Sequence, residues 1–372
     1  MSAAVTRLFF DARYIRTDFH DGISRYSAEL AAAVAAAAPV RGVEVTFLIF
    51  DEAQRGFLPP GSKAITIGAP TSIAEPLRAL QVRRHRPDVV FSPMQTIGTL
   101  GRRFGRAGYR QILTLHDTIY YRHRTPPRDL PWFVRLGWRL FHLSYVPQRL
   151  TLNAGDVVAT VSETSARQFA DVKLTRRPVV VIPNAPQRLA ELLPADAVVR
   201  PGAENLVYMG SFMPYKNVET LIRAMAQLPG RTLHLLSRLS PARRAELDAL
   251  VPQGASVVFH GGVTDAEYAR LLADRAVLVS ASLDEGYGLP LAEALALGVP
   301  AVVTDMPIFR EVAGGGALYA PGTDAAAFAA AVRSLDDPQT REGVVAAGRA
   351  HIARFDWGRS AGILLDTVAS LA

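Results

Sequence analysis

Glu285 and Glu293 flank a short run of turn-forming residues, Gly286-Tyr287-Gly288-Leu289-Pro290. An apolar run from Ala276 leads in, and an alanine- and leucine-rich run closed by Gly298-Val299-Pro300 leads out. These residue types read as strand, glycine turn, helix and glycine stop, with Pro290 in the first helical turn and Gly298 past the last. The turn then lies at a helix N-terminus, where free amides and the helix dipole make an anion site suited to a diphosphate. Carboxylates beside such a site repel the anion unless they accept hydrogen bonds from neutral hydroxyls, which a sugar ring and a ribose supply. The bland alternative is an ordinary strand–helix unit with surface glutamates. Two glutamates, two glycines and a proline in one turn weigh against it.

A second segment reads Tyr208-Met-Gly210-Ser211-Phe212-Met-Pro214-Tyr215-Lys216-Asn217. A strand ends at Gly210 and a helix starts near Asn217, whose side chain is expected to cap it and orient Lys216. A lysine here neutralises a departing diphosphate, and one charge-assisted hydrogen bond contributes roughly 1.5–3 kcal/mol. Only three of the 41 Lys and Arg residues are Lys: Lys63, Lys173 and Lys216. Alone, Lys216 reads as a solvent-facing residue at a helix start; beside the first segment it completes an anion site.

The elements that hold these segments follow from hydrophobic pattern. Short apolar, β-branched runs recur at Leu8–Asp11, Val43–Phe50, Ala64–Ile67, Asp88–Ser92, Gln111–Leu115, Asp156–Ser162 and Pro178–Ile182. They resume at Asn205–Gly210, Thr232–Leu236, Ser256–His260, Ala276–Ser280, Ala301–Thr304 and Ala317–Tyr319. Longer helical stretches separate them, among them Gly22–Ala38 and Leu130–Leu150, which argues for parallel sheets covered on both faces. The chain's 372 residues exceed one ordinary core. The pattern breaks in the proline- and alanine-rich stretch Pro183–Ala203. Two tandem α/β domains are therefore expected, residues 1–185 and 186–372, each a doubly wound parallel sheet, with strand carboxyl ends facing a central cleft. Periodicity does not place the last helix, about 356–371, which can pack back on the first domain.

The chain has no cysteine, which removes disulfides, thiolate metal sites and a cysteine nucleophile. No signal peptide and no run of about 18 uncharged apolar residues is seen, so a cytoplasmic protein, soluble or peripheral on the inner face of the membrane, is expected. The net charge of +7 is uneven: residues 1–185 carry +11 and residues 186–372 carry −4. Residues 126–149 interleave Trp132, Phe133, Trp138 and Phe141 with Arg135, Arg139 and Arg149, and Arg83-Arg84-His85-Arg86 and Arg102-Arg103 add cations. Such a helix either docks on anionic membrane or turns its aromatics to the core with solvated arginines. No nucleic-acid motif accompanies the charge.

Together these segments resemble the retaining glycosyltransferases of glycosyltransferase family 4, which have the GT-B fold of two Rossmann-like domains. Glu285 to Glu293 is similar to that family's E-x7-E signature, and Gly210 to Asn217 to its glycine-to-Lys-Asn element. Weaker matches are Asp21-Gly22-Ile23-Ser24-Arg25-Tyr26, Leu115-His116-Asp117, Val161-Ser162-Glu163 and Ile182-Pro183-Asn184. The resemblance implies a nucleotide-diphosphate sugar, GDP- or UDP-linked, as donor substrate, and no further cofactor. Lys216 and Gly210 with Ser211 would serve the diphosphate, Glu285 the sugar hydroxyls, and Glu293 the ribose. The turn Gly286-Tyr287-Gly288-Leu289 would meet sugar and phosphate, Gly22 would approach the phosphates, and His116 would sit near the reacting sugar.

One departure stands out. The family often has Arg after the glycine of the second motif, where this chain has Ser211; Arg238 and Arg25 are candidates to compensate. No Asp-x-Asp triplet occurs, so no metal site is expected and Lys216 stands in for the cation. No carboxylate nucleophile is evident, and the resemblance implies front-face attack with retention. The acceptor would be a glycan or a lipid-linked glycan. A nucleotide-sugar epimerase or hydrolase on the same fold is the alternative. A nicotinamide dehydrogenase fails, because no Gly-x-Gly-x-x-Gly turn follows Leu8–Asp11. The second motif is similar to those of mannosyl and rhamnosyl enzymes, which makes a GDP-linked mannose the first guess for the donor.

Overall fold

The computed structural model describes residues 5–18, 21–70, 72, 74–95, 97, 108–126 and 131–372. The chain divides into two compact units, Met1–Asn184 with Phe355–Ala372, and Ala185–Arg354. The chain passes between the units at Asn184 and again at Arg354, so the last helix is grouped with the first unit.

The first unit holds strands Thr6–Asp11 (β1), Val43–Ile49 (β2), Lys63–Thr66 (β3), Val89–Ser92 (β4), Arg110–Thr114 (β5), Val157–Thr160 (β6) and Val179–Val181 (β7). They pair in parallel in the order β3-β2-β1-β4-β5-β6-β7. The second unit holds Arg200–Tyr208 (β8), Thr232–Leu235 (β9), Ser256–Phe259 (β10), Asp274–Ser280 (β11), Ala301–Thr304 (β12) and Leu318–Ala320 (β13). Their order is β10-β9-β8-β11-β12-β13, again parallel. Every apolar run read from the sequence carries one of these strands.

Both sheets reverse direction beside their first strand, between β1 and β4 and between β8 and β11. Ligands bind outside the carboxyl ends of the strands at such a reversal. Continuous apolar strands are stable here because helices cover both faces. Phe10, Phe47 and Phe91 fill the centre of the first sheet, with ring centroids 5.7 and 5.0 Å from Phe10. Leu233, Leu235, Val277, Val279 and Phe328 do so in the second.

The terminal helix Trp357–Leu371, capped by Asp356, buries Leu364, Leu365 and Val368. It packs on the helix Gly22–Ala37. Trp357 meets Tyr26 edge-on at 5.9 Å, Arg41 pairs with Asp366, and Ser360 Oγ donates to the Pro183 carbonyl at 2.7 Å.

The expected helix Leu130–Leu150 is two helices, Trp132–Phe141 and Val146–Leu152. Pro147 explains the break, because proline is tolerated in a first helical turn and not in a helix interior. Arg102 and Arg103 lie outside the described residues.

At the reversal in the first sheet, Asp11 ends β1 and Ser92 ends β4, with Ser92 Oγ donating to Asp11 at 3.1 Å. The buried Arg13 guanidinium donates to Asp11 at 2.7 and 3.0 Å, to both Glu75 oxygens at 2.8 Å, and to the Gly68 carbonyl at 2.8 Å. Removing one partner of such a network leaves uncompensated buried charge. Arg13→Ala is therefore expected to cost about 3–5 kcal/mol, read as a lower midpoint in chemical denaturation.

Candidate functional site

Two turns meet at the carboxyl ends of β8 and β11. The first runs from Gly210 to Asn217. Gly210 N–H donates to Ser237 Oγ, just past β9, at 3.2 Å, and the Tyr208 hydroxyl donates to the Ser211 carbonyl at 2.6 Å. A 3₁₀ turn, Pro214–Lys216, then presents Lys216. Asn217 follows at φ 49° and ψ 43°, a left-handed conformation that asparagine adopts more readily than most residues.

The expected capping by Asn217 does not occur. It holds the cap position of the helix Val218–Ala224, but its side chain makes no capping bond. Side-chain capping uses an extended cap residue, and the left-handed backbone removes that geometry. Instead its Nδ2 donates to the carbonyls of Ala281 at 3.2 Å and Gly322 at 2.6 Å, and its Oδ1 accepts from Thr220 Oγ1 at 3.0 Å. Asn217 thus ties the Lys216 turn to the ends of β11 and β13.

The second turn runs from Ala281 to Gly288. Leu283 N–H donates to the Tyr215 carbonyl at 2.8 Å. Lys216 Nζ donates to Glu285 Oε1 at 2.5 Å, with the side chains 15% and 14% exposed. Ser282 Oγ donates to the same oxygen at 2.9 Å. Both donors fall on Oε1, so among the described residues Oε2 has no hydrogen-bond partner. The sequence presents Lys216 and Glu285 as separate ligand contacts; the fold joins them into an ion pair that water reaches.

Gly288 occupies the cap position of the helix Leu289–Leu297 at φ 98°, with no side-chain cap. Pro290 is in the first turn, and Gly298 ends the helix in left-handed conformation, as its residue types dictate. Leu289 is half-buried at the helix start, and Glu293 is buried on this helix. The Tyr287 ring is buried too, and burial keeps its phenol well above the usual range. Gly286, Tyr287 and Gly288 therefore form the backbone entry to a helix N-terminus that has no side-chain cap.

Ser211 is exposed at the edge of this site. Of the two candidate replacement cations, Arg238 lies in the same unit, exposed just past β9. Its side chain passes over Gly262, where a Cβ would come within 2.9 Å of Arg238 Cγ. Arg25 lies in the first turn of the helix Gly22–Ala37, in the first unit. Among the described residues no three or more His, Asp and Glu gather as metal ligands. A cavity of about 640 Å³ borders Ala296 and Leu297, at the far end of the Leu289–Leu297 helix from the two turns.

In the first unit, Gly22 opens its helix, with Asp21 as the cap accepting from Ser24 N–H at 2.9 Å. His116 lies just past β5. Its Nε2 is 2.9 Å from the Pro93 carbonyl, its ring meets Tyr26 edge-on at 5.0 Å, and its own carbonyl accepts from Thr160 Oγ1 at 3.3 Å. Burial holds its pKa below the usual histidine value. A carbonyl only accepts, so Nε2 carries the proton and the neutral ring keeps Nδ1 as its acceptor. Sequence reasoning missed Ser237, Ser282 and the bridging role of Asn217. Only Ser282, three residues before Glu285, left a local signal.

Residues 203–337 match the family described as Glycosyl transferases group 1, and residues 21–185 match the Glycosyl transferase 4-like domain. The chain is 29% identical over 265 residues to O-antigen chain mannosyltransferase B of Escherichia coli, covering 67% of each chain. It is 27% identical over 260 residues to MMP alpha-(1->4)-mannosyltransferase of Mycolicibacterium hassiacum, covering 67% of this chain and 62% of that one. Sucrose-phosphate synthase from Thermosynechococcus elongatus has the same fold, with a TM-score of 0.71 and 20% identity over 99% of this chain and 100% of that one.

Gly288 is a sterically tight point of the second turn. A Cβ there would lie 2.9 Å from Phe309 Cε1 on a backbone that L side chains rarely adopt. Gly288→Ala is expected to lower stability by about 1–3 kcal/mol, read as a lower thermal midpoint. Unchanged stability would contradict the tight packing of this turn.

Proposed function

This glycosyltransferase belongs to the group 1 enzymes of glycosyltransferase family 4, and we propose that it moves a hexose from a nucleotide-diphosphate sugar to a glycan or lipid-linked acceptor with retention. The observation that carries this reading is the junction at the reversal in the second sheet. A directional cation, a carboxylate with one oxygen unpartnered among the described residues and a helix N-terminus without a side-chain cap lie on two turns bonded to each other.

In this reading the diphosphate takes the Lys216 ammonium and the amides of the Gly286–Leu289 turn. Gly210 and Ser211 line the approach. Glu285 accepts from the sugar hydroxyls and Glu293 serves the ribose. Gly22 and His116, on the first unit, keep the donor roles the family pattern gives them. The bond between the anomeric carbon and the phosphate oxygen breaks, its electron pair leaving with the diphosphate. The acceptor hydroxyl attacks the same face and passes its proton to that departing oxygen. The protein supplies charge stabilisation and positioning, and Lys216, not a metal, takes the developing charge.

The transferase relatives favour transfer over the epimerase or hydrolase alternative, and the two mannosyltransferases named above make mannose the first donor sugar to test. GDP is the first nucleotide to test and UDP the second. This reading keeps the enzyme cytoplasmic, either soluble or peripheral on the inner face of the membrane. No helix among the described residues is long and apolar enough to cross one.

Lys216→Ala is expected to lower kcat about 10²- to 10³-fold with the fold intact, and Glu285→Gln to lose turnover likewise. Normal transfer by both variants would refute these roles. Chelation with EDTA is expected to leave the rate unchanged; a chelator-sensitive rate restored by a divalent cation would remove Lys216 from its assigned place. In a thermal-shift panel of nucleotide sugars, GDP-mannose is expected to stabilise the protein most. Failure of every nucleotide sugar and nucleoside diphosphate to do so would overturn the donor reading.

A further inference from the structure

We propose that the helix Trp132–Phe141 is a docking face for an anionic lipid bilayer. The proposal rests on the reading above for its purpose, bringing the enzyme to a lipid-linked acceptor, but not for its evidence.

None of the helix's residues is buried. Its attached side is aromatic: Trp138 meets Tyr120 edge-on at 5.2 Å, and just past the helix end His142 meets Tyr121 at 4.9 Å and Tyr145 stacks on Tyr121 at 4.2 Å. Positions 138, 142 and 145 recur at helical spacing, so one side is anchored and the other is left out. The free side carries Trp132, Leu136 and Leu140 at intervals of four, with Phe133 beside them and Leu143 just beyond the helix. All five are exposed, Trp132 by 76% and Phe133 by 61%. A continuous apolar strip of this kind marks an interaction surface.

Charge identifies the occupant. The helix bears Arg135 and Arg139, Arg149 follows, and residues 131–155 contain no Asp or Glu. The strip is one helix wide, and the charged residues on that helix, Arg135 and Arg139, are both cations. A protein partner needs a broader patch with a mixed polar rim. A lipid surface needs an apolar face that enters the acyl boundary and cations that stay with the headgroups. Trp132 and Phe133 at the helix start are residue types that favour that boundary.

The full chain is spun with vesicles of phosphatidylcholine alone and of phosphatidylcholine mixed with phosphatidylglycerol, without donor. The protein is expected in the pellet with the anionic vesicles only, less so at high salt. Tryptophan emission is expected to shift to the blue as Trp132 leaves water. Phe133→Asp with Leu140→Asp is expected to weaken partition about tenfold or more, and Arg139→Ala about fivefold. All three positions are exposed, so unchanged thermal midpoints are expected, with unchanged transfer to a soluble acceptor. Equal recovery with neutral and anionic vesicles, or full binding by the double variant, would overturn the proposal. So would a stable dimer in solution that the double variant dissolves, which would assign the strip to a second copy of the chain. Lost vesicle binding with intact nucleotide-sugar stabilisation defeats the docking alone; the reverse result defeats the donor reading alone.

Discussion

The bonding of two turns across the reversal in the second sheet is the constraint on which the candidate site depends. Leu283 N–H to the Tyr215 carbonyl, Asn217 Nδ2 to the Ala281 carbonyl, and Lys216 to Glu285 fix the turn after β8 against the turn after β11. The strands set the spacing, and these bonds remove the freedom left to loops. Two of the three use backbone carbonyls, so the frame survives changes in most side chains. The third is the ion pair, whose groups are the ones with chemistry to offer. A ligand at this point meets a cation already held in place, which lowers the ordering cost of binding it.

The two units solve the same position in opposite ways. In the first, the ends of β1 and β4 are joined through Asp11, Ser92, Arg13 and Glu75, with Asp11 and Arg13 shut from water. That network is expensive to disturb and offers nothing to a ligand. In the second, Lys216 and Glu285 remain partly exposed, and among the described residues one Glu285 oxygen has no hydrogen-bond partner. A buried pair resists exchange of partners because desolvation has already occurred. A pair that water still reaches can trade its partner for a phosphate or a hydroxyl more readily than one fully shut from water.

Much of the fold was legible because its strands are continuous apolar runs and its helices are punctuated by Pro and Gly. Pro290 and Gly298 marked the Leu289–Leu297 helix correctly. The sequence hid what depends on contacts between distant residues. Asn217 reads as a helix cap by position, but its backbone is left-handed and its side chain bridges strands more than 60 residues away. Lys216 and Glu285 were each legible as chemistry, but their pairing, 69 residues apart, was not. The terminal helix could not be assigned because its buried face matches any apolar helix, and only packing on Gly22–Ala37 decides it.

The most direct test of Lys216 as the diphosphate cation is calorimetric binding of a nucleoside diphosphate and its monophosphate to the native chain and to Lys216→Ala. The substitution is expected to cost the diphosphate about tenfold or more in Kd, as loss of a charge-assisted hydrogen bond implies, and to leave the monophosphate nearly unchanged. Equal losses for both ligands, or no loss for either, would contradict the assignment.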